Sequence, residues 1–325
     1  MKAMVIKAQG GLENLVYDDW PDPVPRPTDV IVRVRACGLN HLDIFVRRGM
    51  PGLPVPMPFI SGGDIAGEIA QLGADVRGWK LGDRVVVQPV TADGMMGEEI
   101  PGGMAEFARV PEENLVPIPD GVGFEAAAAL PVAYGTALRM LVTRGRLQAG
   151  EKILILGASG GVGTACVQLA KMIGAEVIAA AGSDDKLLKL RELGADHLVN
   201  YKTQDFSKEA WRISGKKGVD VVVNYTGGDT WIPSLKTLRK GGRILTCGAT
   251  AGYDPAEDLR YIWVREIDVM GCNGWTKEDI ATLLDYVATG RIKPVISHVL
   301  PLSQGRDGEW LLEQRAVFGK VLLVP

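Results

Sequence analysis

Residues 157–163, Gly-Ala-Ser-Gly-Gly-Val-Gly, carry the strongest chemical signal in this chain. They follow a short apolar run, Lys152-Ile153-Leu154-Ile155-Leu156, and a helical pattern begins at Val162. Strand, glycine-rich turn and helix, in that order, make a phosphate-binding arrangement. Glycines let the backbone approach a pyrophosphate, and the helix N-terminus offers free N–H groups with a partial positive charge. Gly160, Gly161, Val162 and Gly163 are therefore expected to hold a dinucleotide. The pattern is AxGxxG, with Ala158 in the first glycine's place. Such a turn is a weak signal alone, and a βαβ unit that binds nothing is the plain alternative. Three glycines packed at one strand-to-helix turn, with no evident structural need, favour binding.

The end of the next strand selects the dinucleotide. NAD sites place an Asp or Glu about 20 residues past the turn, bonded to the ribose hydroxyls. Here that place falls near Ala181, so a 2′-phosphate meets no carboxylate. Ser183 can hydrogen-bond a phosphate, Lys186 can offset its charge, and Tyr201 is expected beside the adenosine. An exposed helix lysine is the plain alternative for Lys186. Asp184 argues the other way, since swung inward it would serve NAD; otherwise it starts a helix with Asp185. NADP(H) is the expected cofactor.

The elements that hold these residues follow from apolar periodicity. Helical patterns at Val162–Ile173, Lys186–Leu193 and Thr230–Leu238 alternate with extended runs. Those runs are Ala175–Ala181, His197–Tyr201, Val219–Thr226 and Gly242–Gly248, with Asp268–Gly271 as a sixth strand. Such alternation predicts a doubly wound parallel sheet with helices on both faces. Residues 1 to about 118 have another texture: short β-like runs at Ala3–Lys7, Val30–Ala36, Gly67–Leu72, Arg84–Gln88 and Ala105–Val110. Prolines punctuate them at positions 21, 23, 25 and 27 and again at 51, 54, 56 and 58. Phe124–Leu130 and Tyr134–Arg144 look helical, as does Asp279–Thr289. Strands return at Ser297–Pro301 and Lys320–Val324, so the tail completes the first domain. The helix Gln304–Gln314 between them should start weakly, because it carries Gly305 and Gly308. The expected division is a β-rich domain over 1–122, completed by 272–325, and a Rossmann domain over 123–271.

Composition narrows the partners. The chain has 325 residues, 46% hydrophobic and 23% charged, with net charge −3. That suits two globular domains and gives nucleic acid no basic face to bind. The four cysteines, Cys37, Cys166, Cys247 and Cys272, show no CxxC spacing and read as reduced thiols of a cytoplasmic protein. No cationic-then-apolar leader opens the chain, and no apolar stretch is long enough to cross a bilayer, so no membrane partner is expected.

Taken together, these segments resemble the medium-chain dehydrogenase/reductase superfamily over residues 1–325. The resemblance rests on Cys37-Gly38-Leu39-Asn40-His41-Leu42-Asp43, Gly62-Gly63-Asp64-Ile65-Ala66-Gly67, Leu81-Gly82-Asp83-Arg84-Val85, Leu130-Pro131-Val132-Ala133-Tyr134-Gly135-Thr136-Ala137, the glycine turn, and Phe318-Gly319-Lys320-Val321. It implies an α/β protein: a Rossmann domain, a GroES-like catalytic domain and an active site in the cleft between them. Zinc members of the superfamily bind their catalytic metal through three side chains. At the matching positions this sequence has Asn40, Gly63 and Val132 or its neighbour, and the loop Val90–Met104 lacks the four cysteines of a structural zinc lobe. Zinc needs N, S or carboxylate ligands, so no metal is expected, although His41, Asp43 and Asp64 lie nearby. The chain is thus similar to the zinc-independent branch, the quinone oxidoreductases and related enoyl reductases. That likeness implies NADPH-dependent reduction of quinones or α,β-unsaturated carbonyl compounds.

Without a metal, oxidation of a simple alcohol lacks the means to polarise an alkoxide. Reduction of a conjugated acceptor asks less: position the partners, donate a few hydrogen bonds and exclude water. Asn40 is the leading candidate, bonding the nicotinamide ribose or the substrate carbonyl; a turn-forming Asn is the alternative. Tyr134 is a candidate proton donor, or a tyrosine packed at a helix start, and Thr136 is expected at the nicotinamide. Asp43 is expected to pair with Arg47 or Arg48, and His41 either touches cofactor ribose or lies at the surface. Related enoyl reductases carry a catalytic tyrosine soon after the Asn-x-x-Asp pattern, whereas Ile44–Met50 here has none. Thr226, Gly248 and Thr250 end the fourth and fifth strands, where ligands bind in such sheets. Lys320 is expected at the pyrophosphate, or else as an exposed edge lysine. Phe45, Met50, Met57, Phe59, Met95 and Met96 are expected to line an apolar pocket or to pack in core and loops. The edge strand Asp268–Gly271 makes a homodimer, or a dimer of dimers, the expected assembly. Alcohol dehydrogenase activity within the same superfamily and NADPH binding in a structural or regulatory role are the competing functions.

Overall fold

A computed structural model describes residues 1–50, 52 and 54–325. Pro51, from the second proline cluster, lies outside the described residues, as does Leu53. The chain divides into two compact units, Met1–Gly135 with Trp275–Pro325, and Thr136–Gly274. The first boundary falls 13 residues later than 122/123 (135 against 122). The reason is packing. The helix Phe124–Ala128 rests on the strands Asp29–Leu39 and Asp64–Leu72. Beyond it, the Val132 N–H donates to Asp64, and the Tyr134 hydroxyl accepts from the Val295 N–H.

In the first unit, seven strands form one sheet. The path runs Ile296–Pro301, Lys320–Val324, Asp29–Leu39, Asp64–Leu72, Arg84–Val87 and Leu115–Pro117, with Phe107–Pro111 also paired to Asp29–Leu39. Only the first pair is parallel. Val30, Val32, Val34, Ile65, Ile69, Val85 and Leu323 fill the core on one face of this sheet. Register decides what meets at the sheet's end. Val321 pairs with Leu39, and Gly38 pairs with Asp64. Lys320, Asn40 and Asp64 are thereby delivered to one place.

Two helices close over this unit. His41–Arg48 was not expected from the sequence; it is started by a reciprocal capping box between Asn40 and Asp43. Gly305–Glu313 forms where a weak start was expected. Its glycines serve close approach: a Cβ on Gly308 would lie 2.5 Å from Leu39 Cδ1, and one on Gly305 2.6 Å from Met4 Cγ. The buried Arg47 guanidinium ties the two helices, bonding Glu309 (2.6 Å), Glu313 and the Gly10 carbonyl (2.7 Å).

The second unit is a six-stranded, wholly parallel sheet. Across it lie His197–Asn200, Glu176–Ala181, Lys152–Ile155, Val219–Val223, Leu238–Thr246 and Asp268–Gly271. In chain order this is 3-2-1-4-5-6, the order of dinucleotide-binding Rossmann sheets. Leu154, Ile178, Val199, Val222, Leu235 and Ile244 make its core. A helix at Phe206–Ile213, capped by Asp205, escaped the sequence reading. Its signal was short: Phe206, Ala210 and Ile213 at helical spacing between polar segments. Among the described residues, no helix is long and apolar enough to cross a membrane, and the four cysteines are free thiols.

One glycine tests the sheet register. Gly67 pairs with Val34 beside a register shift, and a Cβ there would lie 2.0 Å from the Arg33 carbonyl oxygen. Gly67→Ala is expected to cost about 1–3 kcal/mol or more, because backbone rather than a flexible side chain must move. Urea unfolding measures it, and an unchanged midpoint would contradict this register.

Candidate functional site

The glycine turn lies at the carboxyl end of Lys152–Ile155, where the strand order reverses. It is anchored on both sides: Leu156 N–H donates to the Val223 carbonyl (3.1 Å) and Ala158 N–H to that of Ala180 (3.0 Å). Gly157 adopts a left-handed φ of 63°. Gly160 caps the helix Gly161–Ile173 with no side chain over its end. The first helical bond runs from Thr164 N–H to the Gly160 carbonyl. The N–H groups of Gly161, Val162 and Gly163 therefore have no acceptor inside the helix, which suits a pyrophosphate. The glycines do answer a structural need, contrary to expectation: a Cβ on Gly163 would lie 2.5 Å from the Gly157 carbonyl oxygen. One on Gly160 would be 3.6 Å from the same atom, so Gly160 is tolerant where Gly163 is not.

Two residues missed by sequence reasoning shape the switch point. The Tyr225 hydroxyl donates to the Gly157 carbonyl (2.8 Å), and burial pushes its pKa far up, keeping it a donor. The buried Asn224 accepts from Thr226 N–H (2.9 Å) and Gly227 N–H (3.0 Å) and donates to Ser234 Oγ (2.9 Å). The only signal was Asn-Tyr at a strand end before Thr-Gly-Gly. Thr226 and Thr250 are laced together here: Ala251 N–H donates to the Thr226 carbonyl (2.7 Å) and Thr250 N–H to that of Tyr225 (3.1 Å). Gly248 is exposed beside them, and Thr136 is half-buried where this unit begins.

At the end of Glu176–Ala181, Ser183 caps the next helix and its hydroxyl bonds Asp185, holding that carboxyl below its usual range. Tyr201 packs against Gly182; a Cβ on that glycine would lie 2.9 Å from the Tyr201 hydroxyl. Asp184 accepts from Asn200 Nδ2 (2.7 Å). Lys186 is half-buried in the first turn of the same helix. Ser183, Lys186 and Tyr201 thus gather round one strand end.

The first unit holds a buried polar cluster. Lys320 is 2% exposed. Its ammonium donates to Asn40 Oδ1 (2.6 Å), the Leu39 carbonyl (2.7 Å) and Asp64 Oδ2 (2.8 Å). Asn40 Nδ2 donates to Asp64 Oδ2 (2.9 Å), and Asp64 Oδ1 accepts from Val132 N–H (2.7 Å). Beside it, Asp43 Oδ2 accepts from Asn40 N–H (2.7 Å) and Oδ1 from Gly62 N–H (2.9 Å). Burial, then the Glu309 charge, pushes the Asp43 pKa up to about 8, against the pull of the Asn40 N–H and Lys320. Burial also raises Glu309, whose pairing with Arg47 opposes the shift. The His41 pKa falls, first through lost solvation and then through Arg315, Lys320 and Arg48.

Several expectations need correction. Lys320 is neither an exposed edge lysine nor free to reach a pyrophosphate, because three acceptors take its three protons. Asp43 pairs with backbone N–H groups, while Arg47 pairs with Glu309 and Glu313, and Arg48 with Glu313. Tyr134 is fully buried and its hydroxyl bonds Val295, so it packs a helix start and cannot hand a proton to a bound substrate without moving. Phe59 and Met96 are core residues.

The places of the three zinc ligands do not fit a metal. Asn40 offers an amide already bound to an ammonium. A Cβ on Gly63 would meet the Met96 carbonyl at 3.2 Å and Met95 Cε at 3.6 Å, so the methionine loop covers that position. Val132 is an apolar residue whose N–H donates to Asp64. Among the described residues, no three His, Cys, Asp or Glu side chains group to hold an ion.

Comparison with known proteins agrees with this architecture. Residues 26–120 match the alcohol dehydrogenase GroES-like domain and 161–289 the zinc-binding dehydrogenase domain. The chain is 34% identical over 320 residues to quinone oxidoreductase-like protein 2 of Bos taurus, covering 95% of this chain and 88% of that one. It is 31% identical to the acryloyl-coenzyme A reductase of Sulfurisphaera tokodaii over the full length of both. A solved structure described as an NAD-dependent alcohol dehydrogenase superposes with a TM-score of 0.95 at 38% identity, covering 100% of each chain.

The raised Asp43 pKa has a sign that can be checked. Between about pH 4, the unfolded carboxyl value, and the folded value of about 8, the native chain holds a proton that the unfolded chain has released. Stability is therefore fullest at the acid end of this window and falls as pH rises through it, by at most about 1.4 kcal/mol per pH unit. Glu309 adds a contribution of the same sign. Asp43→Asn should flatten the slope of urea midpoint against pH. An equal slope in the variant would contradict the assignment.

Proposed function

We propose that this chain, which belongs to the quinone oxidoreductase-like branch of the medium-chain dehydrogenase/reductase superfamily, is an NADPH-dependent, zinc-independent reductase of quinones or α,β-unsaturated carbonyl compounds. The observation that carries this reading is the metal-ligand places themselves, held by Asn40, Gly63 and Val132, with the Asn40 amide bonded to Lys320 and Asp64, which leaves hydrogen bonding as the local means of handling a substrate carbonyl.

A bound NADPH supplies hydride from C4 of its nicotinamide. The chain's own part is to bind, orient and stabilise. The N–H groups of Gly161, Val162 and Gly163, at the positive end of their helix, hold the pyrophosphate. Tyr225 keeps the turn in shape through Gly157. Ser183 and Lys186 take the 2′-phosphate and Tyr201 flanks the adenosine. Thr136, Thr226, Gly248 and Thr250 complete the cofactor's contacts. The Asn40 amide donates to the substrate carbonyl, where negative charge grows as the β carbon is reduced. With Tyr134 buried, solvent delivers the proton to the resulting enolate.

The likeness to an NAD-dependent alcohol dehydrogenase favours a second reading within the same superfamily. A panel of quinones, enals and alcohols, each assayed with NADPH and NADH, separates the two. We expect turnover of the conjugated acceptors with NADPH; turnover of alcohols alone, or NADPH binding without turnover, would overturn the proposal. Within that panel, Lys186→Ala should lower kcat/KM for NADPH by roughly 10- to 100-fold, the worth of one charge-assisted phosphate bond, and leave NADH nearly unchanged.

A homodimer, alone or paired into a dimer of dimers, is the proposed assembly. Support comes from the open edge strand Asp268–Gly271, with Val269 exposed, and from Leu259, Trp263 and Val264 exposed on the helix Leu259–Arg265. Val269→Lys should shift the mass seen by light scattering to that of a monomer; an unchanged mass would place the interface elsewhere. The free thiols suit the cytoplasm.

A further inference from the structure

An ammonium is costly to bury unless every proton finds an acceptor. Lys320 meets that condition with three acceptors on two segments, and a plain ion pair would not need them all. The Asp64 carboxylate alone would balance the charge. The bond to Asn40 Oδ1, at 2.6 Å, is the shortest of the three.

That bond has a geometric result. A side-chain amide can flip, exchanging its oxygen and nitrogen. Here an ammonium faces Oδ1 and a carboxylate faces Nδ2, so both neighbours select the same orientation. The flipped amide would set NH2 against NH3⁺ and oxygen against carboxylate. In the selected orientation one Nδ2 hydrogen goes to Asp64. Among the described residues the other meets only the Gly38 carbonyl at 3.4 Å, beyond ordinary hydrogen-bond length. Asn40 is half-buried, and that hydrogen has no acceptor at ordinary hydrogen-bond length among the described residues.

We propose that Lys320 is a positioning residue: its ammonium locks the Asn40 amide so that one Nδ2 hydrogen is held for the substrate's carbonyl oxygen. This rests on the reading of Asn40 as the substrate-carbonyl donor. Lys320 itself touches neither substrate nor cofactor. Its effect falls on the chemical step, because a donor free to flip or swing gives up its alignment at the developing oxyanion.

The test compares the full-length wild type with Lys320→Met, Asp64→Asn and the double variant Lys320→Met/Asp64→Asn. Either single change strands a buried charge, and such a protein is free to misfold. The double variant removes both charges at nearly constant volume. With an enone and NADPH, we expect the folded double variant to lose kcat on the order of 10- to 100-fold, with KM for NADPH unchanged. Wild-type kcat in the double variant would overturn the proposal, reducing Lys320 to a neutraliser of Asp64.

A second readout needs no turnover. In ¹⁵N spectra of the wild type, with Asn40→Asp for assignment, the Asn40 side-chain amide should give two separate proton signals. They should exchange with water on the order of 10-fold more slowly than the amides of exposed asparagines. The double variant should lose that protection. Fast exchange in the wild type, or unchanged protection in the double variant, would overturn the positioning role. If the wild type reduces no enone or quinone while this protection is present, the proposed function fails and the lock on Asn40 stands.

Discussion

A lysine ammonium sealed from water constrains the catalytic unit more than any other group. Its charge has to be answered inside the protein, and the answer draws on residues far apart in sequence: Asn40 lies 280 positions away and Asp64 lies 256. The same carboxylate reaches on to the Val132 N–H and the Asn40 amide. Strand register is what makes this closure possible. The pairing of Val321 with Leu39 and of Gly38 with Asp64 sets the ends of three strands side by side, and a one-residue slip would point Lys320 to the other face. The polar cluster and the sheet therefore specify each other.

Around that centre lies a second layer of buried charge. Arg47 is held by Glu309 and Glu313, and Asp43 sits between this group and Asn40 on two backbone N–H bonds. Removing either member of a buried ion pair is strongly destabilising, since the survivor is left unpaired. Such groups contribute more to a defined geometry than to net stability. Here they fix the start of the helix His41–Arg48, and so the backbone from which the Asn40 side chain projects. The nucleotide unit reaches its precision by other means, with unsubstituted glycines, a Tyr225 bond to the Gly157 carbonyl, and Asn224 gripping the loop after its strand.

Local features were legible in the sequence, and long-range charge pairing was not. The strands of the parallel sheet announced themselves as apolar runs, and the glycine turn as a change of backbone chemistry at one strand end. Asn40 stood out because its type departs from a metal ligand. Lys320 was misjudged because Phe-Gly-Lys-Val reads locally as a strand start with an outward lysine, and nothing nearby in sequence reveals its acceptors. Arg47, with Arg48, looked like a partner for Asp43 for the same reason, while its true partners follow some 260 residues later (262 and 266). Gly305 and Gly308 looked like helix-weakening residues; contact with Met4 and Leu39 explains them. Asn224 and Tyr225 act through backbone groups of a loop, which periodicity cannot show.

The account stands on the claim that the positive charge in the catalytic unit belongs to a side chain and not to a metal ion. Elemental analysis of the purified, active protein, joined to NADPH-dependent enone reduction before and after exhaustive chelation, tests that claim most directly. The account predicts far less than one zinc or other transition-metal ion per chain and the same turnover after chelation. One tightly held ion per chain, with activity lost on its removal and regained on its return, would contradict it.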